Sequence, residues 1–480
     1  MAESQPHSAM HRSARVQAFL TTRIQAMSQG LLKPIDAASL GAFRILFGAI
    51  MLWEAYRYYH YDRIFRYYIQ PQFWFPYEFF PFLSPLPGHG MYDVFLVMAL
   101  SATGIMLGLF YRISAILFFI TYTYVFLLDK AQYNNHYYLV CLVAFLLIFV
   151  DAHRWASLDQ KWRPHAQAGV IPYWQLFILR SQLFLVYFFG GIAKINADWL
   201  VGEPIRSWLR ARSHYPLVGQ TFFTSEIGVA FFAYGGLFFD LTIGFLLLWR
   251  RTRLVAFLFI LFFNLTNKWL FNIGIFPYMM IACTILFVEP DFPRRILRRA
   301  SFSVPETLPS PAKFYRPLVF GFVTLYLVVQ ILLPFRHWLY RGEVSWTEQG
   351  HRFSWHMKLR SKSGKLTITV TDPQTGESWQ DDPSGKLSTR QLKRMETHPD
   401  MILYYVQRLK KELEQEGISN PIIKVDALVS LNGRPSQQLI NSEVNLAEKT
   451  WTVFSSSDWI IPLQTTVSPK VHQVSPDAVE

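Results

Sequence analysis

Charge is scarce in this 480-residue chain: Asp, Glu, Lys and Arg make up 16% of it, where a soluble protein carries about a quarter. The deficit collects in repeated apolar runs of membrane-spanning length, which excludes an ordinary soluble globule. Cysteine is almost missing. Cys141 and Cys283 both lie inside apolar runs, so neither a disulfide framework nor a thiolate metal site is expected. No short apolar segment with a small-residue cleavage site opens the chain, and no removable signal peptide is expected. The net charge is +13, but the basic residues fall between apolar runs. That pattern suits membrane orientation and not nucleic acid, which needs a continuous basic face.

What is present is a series of nine apolar segments, 40–56, 92–110, 113–128, 137–151, 174–195, 227–249, 254–272, 274–288 and 317–334. Several are short, so eight or nine transmembrane helices are expected, with one piece re-entrant in the former case. Basic clusters such as "RRTR" at 250–253 and "RRILRR" at 294–299 sort to one side when the N-terminus is cytoplasmic, as the positive-inside rule requires. The same alternation puts everything after residue 334 outside. The outer loop 57–91 is dense in aromatics and prolines. It reads either as an interfacial aromatic belt or as a lid or wall over a hydrophobic ligand.

Beyond about 335 the composition turns polar. "KLTITVTDPQTGESW" alternates around a turn as a β-hairpin does. "DMILYYVQRLKKELEQEG" is an amphipathic helix stopped by Gly417. "IIKVDALVSLNGRPSQQLI" reads as two strands about an Asn-Gly turn. The predicted architecture is a membrane all-α helical bundle followed by a small extracytoplasmic α+β, β-rich domain. Its parts are a cytoplasmic segment 1–38, a transmembrane catalytic domain 39–334, the outer domain 335–465 and a disordered tail 466–480.

Costly polar groups gather at the outer ends of the spans. Asn134, Asn135 and His136 precede the fourth. Lys194, Asn196 and Asp198 end the fifth, in "YFFGGIAKINADW". Asn264, Asn267 and Asn272 lie toward the outer end of the seventh. Ionisable groups in spans are functional until shown otherwise. Each also has a plainer reading. Lys194 snorkels to the interface, with Asp198 as its ion-pair partner or a cap. His136 packs as a hydrogen-bonded core residue, and the asparagines join helices. Gly190 and Gly191 either let helices approach or leave room for a flat ligand. On the functional reading, an apolar pocket disfavours the ammonium of Lys194 and leaves a free amine able to deprotonate a phenol. His136 and the carboxamides would hold the resulting oxyanion.

These residues carry a resemblance. "GLFYRISAILFFITYTYVFLLDKAQYNNHYYLVCLVAFLLIFVDAHRWASLD", "LRSQLFLVYFFGGIAKINADWLVGEP", "GGLFFDLTIGFLLLWRRTR", "NKWLFNIGIFPYMMIA", "SWHMKLRS" and "DALVSLNGRPSQQLI" follow the order and spacing of the vitamin K-dependent gamma-glutamyl carboxylases. The chain resembles that family over about residues 40–465. The resemblance implies a membrane oxygenase of reduced vitamin K that uses O2 and CO2, needs no metal, and couples formation of the 2,3-epoxide to carboxylation of glutamate side chains in a protein or peptide partner. It implies that Lys194 is the base and that His136 stabilises the cofactor intermediate, flanked by Asn134 and Asn135. It links Trp355 and Met357 to the glutamate substrate.

Departures are also visible. Ala193 stands where animal enzymes have a second lysine, and Asn264 where they have histidine. Gly350, His351, Arg352 and Phe353 replace a Leu-Tyr-Gly-Tyr run, and His356 replaces aspartate. The animal disulfide cysteines and the long outer extension are missing, as expected of a bacterial-type homologue. Three functions follow: a carboxylase, a quinol epoxidase with no acceptor or an altered one, and a non-catalytic quinone-binding scaffold in the membrane.

Overall fold

In a computed structural model, residues 29–162, 169–216, 218–271, 273–297, 304–305 and 315–464 are described. The expected tail 466–480 and Asn272 lie outside the described residues. Seven helices among those residues are long and apolar enough to cross a membrane. They are α1 (Ala38–His60), α2 (Gly90–Leu107), α3 (Tyr111–Leu128), α5 (Tyr173–Ala193), α6 (Glu226–Leu248), α7 (Arg253–Phe271) and α9, which runs with its 3-10 extension over Tyr315–Leu339. Two shorter apolar helices complete the set, α4 (Asn135–Phe149) and α8 (Phe276–Phe287). At 1.5 Å per residue α4 is only about 22 Å long, short of a hydrocarbon core of about 30 Å. The predicted segments 137–151 and 274–288 are these two helices, shorter than the seven spans and packed within the bundle, and α4 still leads from Asn135 on the outer side to the Ala152 loop at the other end.

The bundle's inner end is pinned by a cation. Arg44 of α1 is fully buried. It donates to the carbonyls of Ile105 at 2.5 Å, Met106 at 2.6 Å and Ala156 at 2.7 Å, and to Ala152 at 3.2 Å. These carbonyls lie at the end of α2 and in the loop after α4. A guanidinium has enough donors to satisfy them, and the C-terminal helix dipole favours its charge.

Helices α5 and α6 pack closest near the outer side. A Cβ added to Gly191 would lie 2.8 Å from the backbone nitrogen of Leu241. Backbone cannot yield as a side chain tip can. Gly191→Ala is therefore expected to cost about 1–3 kcal/mol of stability, read as a lower thermal midpoint of the detergent-solubilised protein.

The outer domain is a four-stranded antiparallel sheet in the order β4–β3–β5–β6. Its strands are β3 (Lys362–Thr371), β4 (Ser378–Asp381), β5 (Ile422–Leu431) and β6 (Gln437–Gln438). A smaller pair, β1 (Pro34–Asp36) with β2 (Val170–Pro172), lies on the bundle. The predicted β3–β4 hairpin and the Asn-Gly turn are present, the latter with Asn432 at φ 52° and Gly433 at φ 76°. Ile423, Val425, Ala427, Val429 and Leu431 alternate inward along β5. They meet the apolar face of α11 (Pro399–Gln415), the predicted amphipathic helix. A helix not foreseen, α10 (Thr389–Met395), precedes it and opens on a capping box from Ser388 and Gln391.

The outer loop 57–91 divides between the outer domain and the bundle. Its Phe73 and Phe75 are buried in the outer domain's core against Tyr404 and Tyr405. Gln391 Nε2 donates to Phe73 O at 2.8 Å. Further along, Phe79 and Phe82 are exposed, as an interfacial belt would be. The loop is half socket and half belt.

Candidate functional site

Between bundle and outer domain runs the segment Glu348–Lys358, and its backbone is strained. Glu348, Phe353, Trp355 and Lys358 all have φ between 52° and 68°, and Gly350 has φ 73°. Non-glycine residues in this region are costly and gather at functional sites. The alternation turns side chains in opposite directions. Phe353 and Trp355 enter the bundle against Tyr138, at 4.9 Å and 5.0 Å between ring centres. Arg352, His356, Met357 and Lys358 face a cleft. Two hydrogen bonds seat the segment on the approach to α4. Phe353 N donates to Tyr133 Oη at 2.7 Å, and Asn135 Nδ2 donates to His356 O at 3.1 Å.

The cleft has a volume of about 440 Å³, enough for a bicyclic ring system. The bundle contributes Asn134, Asn135 and His136, with Trp208, Phe271 and Phe276 as aromatic walls. His136 rests against Tyr137 and Phe276. The outer domain contributes cations. Glu348 is buried and engages Arg360 at 2.6 Å and Lys362 at 3.2 Å. Asp400 holds Arg352 at 2.7 Å and Lys130 at 3.3 Å. Lys358 and Arg394 have no carboxylate within ion-pair distance among the described residues. Lys358 lies over Trp208 at 5.4 Å and Phe271 at 5.7 Å. Enclosure by the cleft walls, then repulsion from Arg394 and Arg212, pulls its ammonium down to about 8. Burial, then neighbouring Arg390 and Arg360, lowers Arg394 to about 9. Burial, then His337 and Arg360, pushes His356 down to about 3, so its ring is neutral.

Lys194 is not among the residues that line the cleft. Met357, which does line it, comes beside Gly190, one helical turn before Lys194. A Cβ on Gly190 would meet Met357 Cε at 2.9 Å and Asp240 Oδ2 at 3.4 Å, so that glycine makes room for both. Lys194 Nζ is 2.5 Å from Asp240 Oδ2 and donates to Gly190 O at 3.1 Å. It also sits 5.3 Å from the centre of the Trp199 ring. Lys194 is 6% exposed and Asp240 4%. The expectation of an amine surrounded only by apolar groups is corrected by this carboxylate.

The expected partner, Asp198, is engaged elsewhere. Its carboxylate accepts from Arg434 Nη1 at 2.7 Å and Nη2 at 2.5 Å, and from Asn432 Nδ2 at 2.7 Å. The Asn-Gly turn of the outer domain thus grips the turn that carries Lys194. Asn196 caps the short helix Ala197–Leu200, accepting from Trp199 N at 3.0 Å. Asn264 is buried and donates to Ile260 O at 2.9 Å on its own helix. Neither it nor Asn267 lines the cleft. Trp355 supports the cleft from behind, and Met357 lines it.

Sequence reasoning passed over Asp240, although "FFDLTIGF" places one acid in the middle of an apolar 23-residue helix. An acid at that depth needs a cation, and Lys194 is the partner to look for. The cation set of the cleft left no comparable signal, because Arg352 and Lys358 come from one loop and Arg394 from a helix further along the chain.

Residues 32–292 match the HTTM domain family model. Residues 315–466 match the model described as vitamin K-dependent gamma-carboxylase, lumenal domain. The chain belongs to the vitamin K-dependent gamma-carboxylase family. No solved structure matches it. For a gamma-carboxylase relative the two matches divide at the boundary the cleft straddles. His136 and Lys194 fall in the first, and Met357, Lys358 and Arg394 in the second. Family and spans together make it a multi-pass membrane protein with a lumenal C-terminal domain.

Proposed function

We propose that this chain oxygenates reduced vitamin K to its 2,3-epoxide and uses that reaction to carboxylate glutamate side chains. The observation that carries the reading is the composition of one cleft. Its bundle wall has aromatic faces beside His136, Asn134 and Asn135, and its outer wall has Lys358 and Arg394, which have no carboxylate partner among the described residues. Aromatic walls and a few convergent polar groups fit a naphthoquinol head. Trp208, Phe271 and Phe276 would sandwich it, and His136 with the two carboxamides would bind its oxygens. When bound, the hydroquinone supplies the electrons that activate dioxygen. Lys194 is read as the amine that takes a proton, reaching the cleft past Met357. Asn264 and Asn267 are read as second-tier groups that orient α7. The N-terminus is assigned to the cytoplasm, because the basic loops then lie inside.

The epoxidase without an acceptor is the weaker reading. Cations such as Lys358 and Arg394, without a carboxylate partner among the described residues, favour an anionic occupant beside the quinol. Lys358 makes this testable by pH. Its ammonium is lost as pH rises through about 8, so affinity for a glutamate peptide is expected to fall above that pH. Lys358→Met should flatten this dependence while epoxide formation without peptide persists. Isothermal titration against pH reads the first result and chromatography the second.

The deciding assay supplies purified protein with reduced vitamin K, oxygen, labelled bicarbonate and a glutamate peptide. Epoxide with fixed label supports the proposal. Epoxide alone supports the acceptor-free reading. Neither product from folded protein overturns both and leaves a quinone-binding scaffold.

A further inference from the structure

We infer that Asp240 is the gate on Lys194: it holds the amine as an ammonium ion at rest, and the amine becomes a base only when that carboxylate is neutralised or turned away. The inference rests on the reading of Lys194 as the working amine. It starts from the sequence. One acid stands at mid-depth in α6, and one lysine ends α5. A separation of 2.5 Å between two nearly unexposed groups is a charge-assisted hydrogen bond. Among the described residues Asp240 has no other ionic partner. At this distance the nitrogen is the donor to a buried carboxylate, and an ammonium has no lone pair with which to accept a proton. The resting pair is therefore mute as a base.

Other groups do not replace the carboxylate. From the outer domain His356 faces Lys194, and it is neutral. From α5 itself Tyr187 faces Asp240. Asp198, four residues along, is held by Arg434. Release has a path. Asp240 Oδ2 borders Gly190 beside Met357 Cε, and Met357 lines the cleft. An occupant that moves Met357 reaches the carboxylate side of the pair. In a drier site the proton passes from Lys194 Nζ to Asp240 Oδ2. An N–H bond breaks and an O–H bond forms, with no change in net charge. Loss of water favours that neutral pair over the ionic one.

The test needs no quinone. The full-length protein in detergent is treated with fluorodinitrobenzene over a pH series, and arylation of Lys194 is followed by mass spectrometry. Asp240→Asn is expected to move the labelling midpoint to lower pH by about one unit or more. Asp240→Glu, which keeps the carboxylate, is expected to stay near the wild type. An Asp240→Asn midpoint that is unchanged or higher overturns the inference. If Asp240→Asn does not accumulate, the wild type decides by infrared spectroscopy. Arylation removes the ammonium, so Asp240 should take up a proton and show the carbonyl stretch of a buried carboxylic acid. No such band overturns the inference. A wild type that makes no epoxide yet shows the midpoint shift would sink the proposed reaction and leave the gate standing.

Discussion

Lys194→Ala is expected to lower epoxide formation by roughly a thousand-fold or more while the protein still inserts and folds. Among the described residues no second amine replaces it at the α5–α6 contact, since the preceding residue is Ala193 and Lys358 stands in the cleft wall over Trp208 and Phe271. The substitution also strips Asp240 of its partner, and a lone buried charge would cost several kcal/mol. The carboxyl escapes that cost by taking up a proton. Folded yield is therefore expected to survive, as a single symmetric peak in size-exclusion chromatography. Epoxide measured by chromatography on the same preparation completes the test. Normal turnover would remove Lys194 from the role of base.

Arg434→Ala is expected to reduce both epoxide formation and carboxylation by roughly a hundred-fold, through a displaced Lys194 and not through lost contact with a ligand. Arg434 grips Asp198 with both guanidinium nitrogens. Asn432 adds a third bond to the same carboxylate, and its Oδ1 accepts from Ser361 N at 2.8 Å. The turn bearing Lys194 is thereby tied to the start of β3, close to the cleft's cations. Bidentate pairs of this kind fix geometry as well as charge. Exchanging the two residues, Asp198→Arg with Arg434→Asp, should recover a large part of both activities. If Arg434→Ala is as active as the wild type, the contact is one of the many surface pairs that contribute little. If the double exchange fails while the thermal midpoint is normal, the geometry of the fork matters more than the charge.

Much of this was legible in the chain. The apolar runs gave the helices, since a 20-residue segment without charges has few alternatives in water or lipid. The strand and helix signals of the outer domain held because turn residues such as Asn432 and Gly433 restrict the backbone locally. The two short helices lie within two residues of the predicted segments 137–151 and 274–288. Asn135–Phe149 and Phe276–Phe287 are apolar but shorter than the seven spans, and composition alone does not separate a buried helix from a lipid-facing one. The pairing of β3 with β5 was not foreseen. Fifty residues separate the two strands, and alternation says which face is apolar but not which partner covers it.

At the site, sequence and tertiary structure divided the work. Residue types and their order determined a membrane bundle with a polar outer cap, a lysine at the end of one span and a histidine at the start of another. These are properties of single segments, set by local hydropathy and backbone preference. Only the tertiary structure decided that Lys194 faces Asp240 and not Asp198, that Met357 comes beside Gly190 at the edge of the cleft, and that Lys358 and Arg394 line one cleft with His136. Those outcomes depend on how helices turn about their axes and how a strained loop lies across them, and no stretch of sequence encodes an azimuth by itself.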